Sequence, residues 1–174
     1  MVGVPEALTI YVTDDDARWE GLGFDATVLC ETALNASFKV VGSARGGEVS
    51  VLLSSDPVIS LLNERYRGIA GPTNVLSFAF SSGSAKRDCA VPKLLGDIVL
   101  SFDTIILEAA AANITTRAHF AHMVVHGGLH LLGYDHQDQE QARIMEELEV
   151  QSLAAMGIGS PYAACSDRGE VDDK

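Results

Sequence analysis

The sequence has few cysteines and no long apolar run, and these absences exclude several classes of protein. Its three cysteines, Cys30, Cys89 and Cys165, are odd in number and widely separated. They form no C-x-x-C pair, so we expect neither a disulfide framework nor a cysteine-based metal site, and a reducing cytoplasm suits them. No apolar run reaches the ~18 residues of a membrane span, and the first residues lack the basic region of an export signal. We therefore expect a cytoplasmic protein with no membrane partner.

Basic residues are also scarce, because 12 lysines and arginines face 24 acidic residues and give a formal net charge of −12. Their distribution is uneven. Between Lys39 and Lys93 there are seven basic and four acidic residues, so this segment carries +3 and the rest of the chain −15. A local basic surface can hold a phosphate backbone, although an ordinary solvated surface explains the charge equally well.

The remaining composition is typical of one globular protein. Apolar residues make up 47% and charged residues 21% of the 174 positions, and this length is sufficient for one buried core. We expect a single domain over residues 1–157 and a polar, flexible C-terminal tail over residues 158–174.

Histidine is absent everywhere except in one short stretch, where all five occur between His119 and His136. Three of them, His126, His130 and His136, have the spacing H-x3-H-x5-H. Residues four apart share one face of a helix, so His126 and His130 can bind one ion together. Gly133 can end the helix and let the chain fold back, so that His136 reaches the same ion from the other side. Three imidazole ligands leave the fourth coordination position of a zinc ion open for water, which is typical of catalytic sites.

A buried stripe of hydrogen-bonded histidines is the alternative interpretation, because His119, His122, His126 and His130 share one helix face. We favour a metal at the three residues named above. His119 and His122 are then expected to play structural roles or to orient the ligands by hydrogen bonds.

The metal motif is similar to that of the metzincin proteases, H-E-x-x-H-x-x-G-x-x-H. Those enzymes use the glutamate after the first histidine as a general base, and this chain has Gly127 there. Because glycine cannot accept a proton, a metallohydrolase acting on a different bond is favoured over a peptidase.

The periodicity of the chain alternates between strand and helix, which predicts an α+β or α/β layer with four strands. Strands are expected at residues 7–13, 48–54, 74–80 and 95–101, with a loop at 81–93. Helices are expected at residues 25–37, 56–66, 104–112, 116–132 and 138–156. Arg67 follows the second helix at a Gly/Pro turn, and from the residues alone a role in capping the helix is favoured over a functional one.

The string H-G-G-L-H-L-L-G-Y-D-H at residues 126–136 resembles the H-G-x-L-H-L-x-G-Y-D-H motif of the YbeY family of bacterial endoribonucleases. Three further blocks match in the same order: L-N-x-x-Y-R-G ending at Gly68, P-T-N-V-L-S-F at residues 72–78 and L-G-D-I-V-L-S at residues 95–101. The chain departs from the family at Ala70, where an acidic residue is usual, and at Ala79, where a proline is usual.

The resemblance implies a metal-dependent, single-strand-specific endoribonuclease with roles in 16S rRNA maturation and ribosome quality control. It implies that His126, His130 and His136 bind zinc, nickel or another divalent transition metal, and that Arg67 is catalytic. The implied fold is α+β, a small four-stranded mixed sheet packed by about five helices, with the metal-binding helix in the centre of the metallohydrolase domain. The implied partners are single-stranded RNA, rRNA and ribosomal particles, together with ribosomal proteins or assembly GTPases.

Two other functions stay open at this stage. A non-catalytic ribosome-assembly factor would use the metal only for folding. A zinc peptidase would need a general base other than the residue at position 127.

Overall fold

The computed structural model describes residues 7–43, 46–80 and 93–163. These residues form four strands, five α-helices and one short 3-10 helix at Ala17–Gly21. The strands are β1 (Leu8–Asp14), β2 (Gly47–Ser54), β3 (Val75–Ala79) and β4 (Leu94–Ser101). The α-helices are α1 (Ala26–Val40), α2 (Asp56–Arg67), α3 (Phe102–Ala111), α4 (Thr116–Leu131) and α5 (Gln139–Ala155).

The four strands form one mixed sheet in the order β1-β2-β4-β3. β1 pairs with β2 and β2 with β4 in parallel, whereas β3 pairs with β4 in antiparallel orientation and forms an edge of the sheet. The predicted α+β class, with a four-stranded mixed sheet and five helices, is therefore confirmed. In the described ranges, no helix combines the length and the apolar character needed to cross a bilayer.

The sheet buries its two faces against different helices. Val51, Ile98 and Leu100 belong to the larger core cluster, which includes buried residues of α1, α4 and α5. On the other face Leu76 and Val99 pack with Ile59 of α2. Successive strand residues point to opposite faces, so the consecutive apolar residues Ile98, Val99 and Leu100 of β4 supply side chains to both cores.

Helix α4 lies centrally, because it contacts β3, β4, α1, α3 and α5. The Thr115 side chain caps its first turn by accepting a hydrogen bond from the Ala118 amide. Two glycines allow its close packing: a Cβ at Gly127 would lie 3.1 Å from Cγ2 of Ile98, and one at Gly128 would lie 2.8 Å from Cδ2 of Leu34. The paired glycines thus serve packing of the helix against β4 and α1.

The structure differs from the sequence-based expectations in three places. The 3-10 helix was not predicted, and it buries Trp19, whose Nε1–H donates to the Ser54 carbonyl at 3.0 Å. The pair Asp56-Pro57 predicts Asp56 as the N-cap of helix α2, but the N-cap position is Ser55, whose side chain makes no capping hydrogen bond. The chain also continues to pack beyond residue 157, since Ile158 is buried in the core.

Other expectations concern residues that the structure does not describe. Most of the predicted loop at 81–93, and residues 164–174 of the tail, lie outside the described ranges. The division of the chain at residue 157 stays a prediction.

Replacing Gly96 with alanine should test the pairing of β3 with β4. Gly96 has a φ of +151°, and a Cβ there would lie 2.2 Å from the carbonyl oxygen of Phe78. We expect Gly96→Ala to lower the free energy of unfolding by roughly 2 kcal/mol and the melting temperature by about 4–8 °C in a circular-dichroism melt. Gly159→Ala is the matched control, because its Cβ would meet nothing within 4 Å. Equal melting temperatures for the two variants would contradict the observed register.

Candidate metal centre and substrate cavity

Helix α4 and the loop after it bring three histidines together. His126 and His130 lie one turn apart on α4, and their Nε2 atoms are 3.1 Å apart. Gly133, in the left-handed conformation with a φ of +93°, turns the chain after the helix. The ring of His136 then lies 5.5 Å from that of His126 and 5.2 Å from that of His130, measured between centroids.

This arrangement fits a transition-metal ion. One nitrogen from each of the three rings lies within 4.8 Å of the others. Two nitrogens bound tetrahedrally to one zinc ion would be about 3.3 Å apart, which is close to the His126–His130 separation. Burial lowers the pKa of the His130 ring, and the neighbouring His126 and His136 lower it further. The neutral imidazole is the form that binds metals, so the cluster could hold an ion.

A buried carboxylate orients the first of these rings. Glu149 of α5 is 1% exposed, and its Oε1 lies 2.7 Å from Nδ1 of His126. An ionised carboxylate only accepts hydrogen bonds, so Nδ1 carries the proton and Nε2 is free to face the other histidines. Burial alone would raise the pKa of Glu149, but hydrogen bonds from His122, His126 and Tyr162 lower it to about 2.

The second oxygen of Glu149, Oε2, forms hydrogen bonds with two other side chains. Nε2 of His122 lies 2.7 Å from Oε2, and the Tyr162 hydroxyl donates to the same atom. Burial raises the pKa of Tyr162, and the adjacent Glu149 carboxylate raises it further, so the phenol keeps its proton. His122 therefore acts on the site through Glu149 and does not belong to the three-histidine cluster.

A second carboxylate connects His119 with the wall of the cavity. Nε2 of His119 lies 2.7 Å from Oε2 of Glu108, and Glu108 in turn accepts hydrogen bonds from the Asn74 amide at 2.9 and 3.2 Å. The side-chain oxygen of Asn74, Oδ1, accepts a hydrogen bond from the Val75 backbone amide at 2.7 Å. Both ends of the Asn74 side chain are thus fixed.

Sequence reasoning missed the residues that support the site, namely Glu149, Tyr162 and Glu108. One signal for Glu149 was present. Met145, Glu149 and Leu153 repeat every four residues and are all buried on one face of α5. A carboxylate within such an apolar stripe needs hydrogen-bond donors, and the histidines of α4 supply them.

The three histidines share one cavity with Arg67. This cavity has a volume of about 200 Å³ and is lined by Arg67, Thr73, Asn74, Val75, Ser77, His126, His130 and His136. Gly68, with a φ of +69°, ends α2 directly after Arg67, and buried Asn63 donates to the Gly71 carbonyl at 3.0 Å. The turn is therefore held by the Asn63 side chain, although position 70 lacks a carboxylate. In the described part of the chain, Arg67 forms no ion pair.

None of the described residues that line this cavity is acidic. Asp135 lies close by, but its carboxylate accepts hydrogen bonds from the His136 amide at 2.8 Å and from the Gln137 side chain at 2.6 Å. These hydrogen bonds, together with the nearby histidines, lower the pKa of Asp135. Asp135 therefore acts as a cap of the turn that presents His136.

A larger depression of about 520 Å³ lies at the β1 side of the sheet. It is lined in part by the carboxylates of Asp14, Glu20 and Asp25. This acidic lining would repel phosphate groups, so the chemistry of the molecule is assigned to the smaller cavity.

Comparisons with known proteins agree on one family. The family model described as Endoribonuclease YbeY matches residues 16–157. A protein of Rhodospirillum rubrum named Endoribonuclease YbeY is 40% identical over 170 residues, covering 92% of this chain and 85% of the relative. Another of that name, from Azorhizobium caulinodans, is 39% identical over 158 residues, covering 90% of this chain and 97% of the relative.

A solved structure supports the fold. The solution structure of a Thermotoga maritima protein matches with a TM-score of 0.53 and 24% sequence identity, covering 93% of this chain and 99% of that chain. At this identity the likeness concerns the fold alone. The family model and the relatives carry the assignment, and they confirm the resemblance seen in the sequence. This chain belongs to the endoribonuclease YbeY family.

Proposed function

We propose that this protein is a metal-dependent endoribonuclease that cleaves single-stranded RNA. The observation that carries the proposal is the shared cavity, in which three imidazoles able to hold one ion face the same space as an arginine. Family membership supports the same activity, because the matching relatives are named endoribonucleases.

The metal in this proposal is one zinc ion, or nickel or another divalent transition metal, held by His126, His130 and His136. Three neutral nitrogen donors suit this group of metals and not magnesium or calcium, which prefer oxygen. When bound, such an ion supplies Lewis-acid chemistry at a phosphoryl oxygen.

The protein's own residues position the phosphodiester. Arg67 presents a planar guanidinium that can pair with two phosphate oxygens and stabilise the charge that develops there. Asn74, fixed by Glu108, and the hydroxyl of Ser77 add polar groups to the same wall of the cavity. Glu149 keeps the His126 ring in one tautomer and one orientation.

The physiological substrate in our proposal is ribosomal RNA, with roles in 16S rRNA maturation and ribosome quality control in the cytoplasm. Its partners would be ribosomal particles, including ribosomal proteins or assembly GTPases. Support for this finer assignment comes from family membership. A zinc peptidase is disfavoured, because position 127 is glycine and no carboxylate lines the described cavity.

Separate variants should divide metal binding from RNA cleavage. We expect His130→Ala to lower metal affinity by more than about a hundredfold, because it removes a ligand and not only a supporting group. Arg67→Ala should keep its metal and lose about 10²–10³-fold in kcat/KM on a single-stranded oligoribonucleotide. Metal content by atomic emission and gel-based cleavage assays measure both effects.

Three results would contradict these expectations. Unchanged metal content in His130→Ala would remove the proposed centre, and full activity in Arg67→Ala would remove the phosphate-binding role. Metal-replete wild-type protein that cleaves no RNA, rRNA precursors included, would favour a non-catalytic assembly factor.

A conservative change at Glu149 should weaken metal binding without removing a ligand. Glu149→Gln withdraws the charged acceptor from His126, so we expect a roughly 10–100-fold rise in the Kd for zinc in a competition titration with a chromogenic chelator. Glu147→Gln is the matched control on the same helix, because Glu147 is exposed and, among the residues that the structure describes, pairs only with Arg143. Equal zinc affinity for the two variants would show that Glu149 does not support the centre.

A further inference from the structure

An exposed aromatic residue directly precedes the proposed phosphate-binding arginine in the sequence. Tyr66, in the last turn of α2, is 59% exposed, although aromatic residues make up only 6% of the sequence. Its ring packs against Phe78 of β3, with centroids 5.2 Å apart and planes at 66°. This contact holds the Tyr66 ring in place and leaves most of its surface open to solvent.

The aromatic pair lies across the edge of the sheet from the metal cavity. Both members neighbour cavity residues in the chain: Tyr66 precedes Arg67, and Phe78 follows Ser77. Phe78 packs on the α2 face of the sheet, whereas Ser77 lies on the α4 face beside Gly127. Since β3 is an edge strand, an extended chain leaving the cavity around this edge would meet the Tyr66 ring.

The charges around Tyr66 favour a polyanion. Arg65 and Arg67 flank it in the sequence, and the Arg65 guanidinium lies 5.5 Å from the centroid of the Tyr66 ring. An exposed aromatic ring beside the Arg65 guanidinium, and followed in the sequence by Arg67, combines on a protein with a net charge of −12 the two features that bind single-stranded nucleic acid. These are cations for the phosphates and a flat apolar surface for the bases.

We propose that Tyr66, supported by Phe78, is a stacking subsite for an unpaired nucleobase of the RNA, close to the phosphate held by Arg67. The inference rests on the proposed endoribonuclease function and adds a source of substrate specificity. A base within a duplex has both faces covered by its neighbours, so it cannot stack on Tyr66. The subsite therefore selects single strands.

Substitutions at Tyr66 test the subsite by kinetics. Loss of one stacked base corresponds to about a tenfold rise in KM, so we expect Tyr66→Leu to show this rise, with a much smaller change in kcat and unchanged metal content. Tyr66→Phe should restore the KM, because it keeps the ring. Tyr11→Leu is the control, since Tyr11 is 53% exposed on β1 at the opposite edge of the sheet.

Abasic substrates test whether the partner is a base. Oligoribonucleotides carrying one abasic residue at successive positions keep every phosphate. With the wild type, one position near the cleavage site should raise KM about tenfold, and with Tyr66→Leu the same position should have little further effect. Additive effects of the two changes would overturn the proposal.

Fluorescence gives a direct reading of stacking. Trp19 is the single tryptophan and is buried, so Tyr66→Trp introduces one exposed indole at the subsite. Stopped-flow mixing with a single-stranded oligoribonucleotide should quench this indole, whereas a duplex of the same sequence, and the Tyr11→Trp control, should give little quenching. Equal quenching by duplex and single strand would contradict selection of unpaired bases.

RNA cleavage by the wild type and the KM of Tyr66→Leu test the endoribonuclease activity and the stacking subsite separately. If metal-replete wild type cleaves no RNA, the endoribonuclease proposal itself fails. If the wild type cleaves RNA and Tyr66→Leu has a KM within about twofold of it, below the expected loss of one stacked base, only the stacking subsite fails. Normal RNA kinetics with weakened binding to ribosomal particles would assign Tyr66 to a protein contact and overturn the subsite.

Discussion

The hydrogen bonds to the buried Glu149 carboxylate are the interaction on which the geometry of the site depends. A charge with almost no solvent contact is strongly destabilising unless donors surround it. Here His122 and His126 of α4 and the Tyr162 hydroxyl supply those donors. The same contacts join α4 to α5 and to the chain beyond α5. One side chain thus links three segments and orients the His126 nitrogen that faces the other two histidines.

The contacts of Glu149 explain why His126 belongs to the three-histidine cluster and His122 does not. His122 and His126 lie on the same helix face, four residues apart, and either could serve as a ligand by spacing alone. The two oxygens of Glu149 bind one nitrogen of each ring. The ring of His126 also has His130 and His136 beside it, so its second nitrogen completes the cluster.

The cavity is polar, basic on one side and without a carboxylate among its described lining residues. A metalloprotease motif would place a glutamate at position 127, where this chain packs a glycine against Ile98 and Ser77. Position 127, which would carry the general base in a metalloprotease, is therefore part of the contact between α4 and the sheet. What remains is a histidine cluster that could hold an ion, in one cavity with an arginine, and this combination suits a phosphodiester better than a peptide.

Much of this could be predicted from local patterns in the sequence. The spacing of His126, His130 and Gly133 predicts ligands one helical turn apart and then a reversal of the chain. Local residue patterns predict all four strands, with β-branched alternation as the signal at residues 48–54. Strand order and the contact of Glu149 with α4 could not be predicted, because they depend on pairings between segments far apart in sequence. The 3-10 helix around Trp19 was missed for a different reason, since five residues carry too little periodicity to be recognised.

The metal centre that we propose consists of three imidazoles, one of them oriented by Glu149. X-ray absorption at the metal edge of the purified protein reports which atoms surround the ion. We expect three imidazole nitrogens at about 2.0–2.1 Å, with the multiple scattering typical of histidine rings, and one further light ligand. A sulfur ligand at about 2.3 Å, or fewer than three imidazoles, would contradict it.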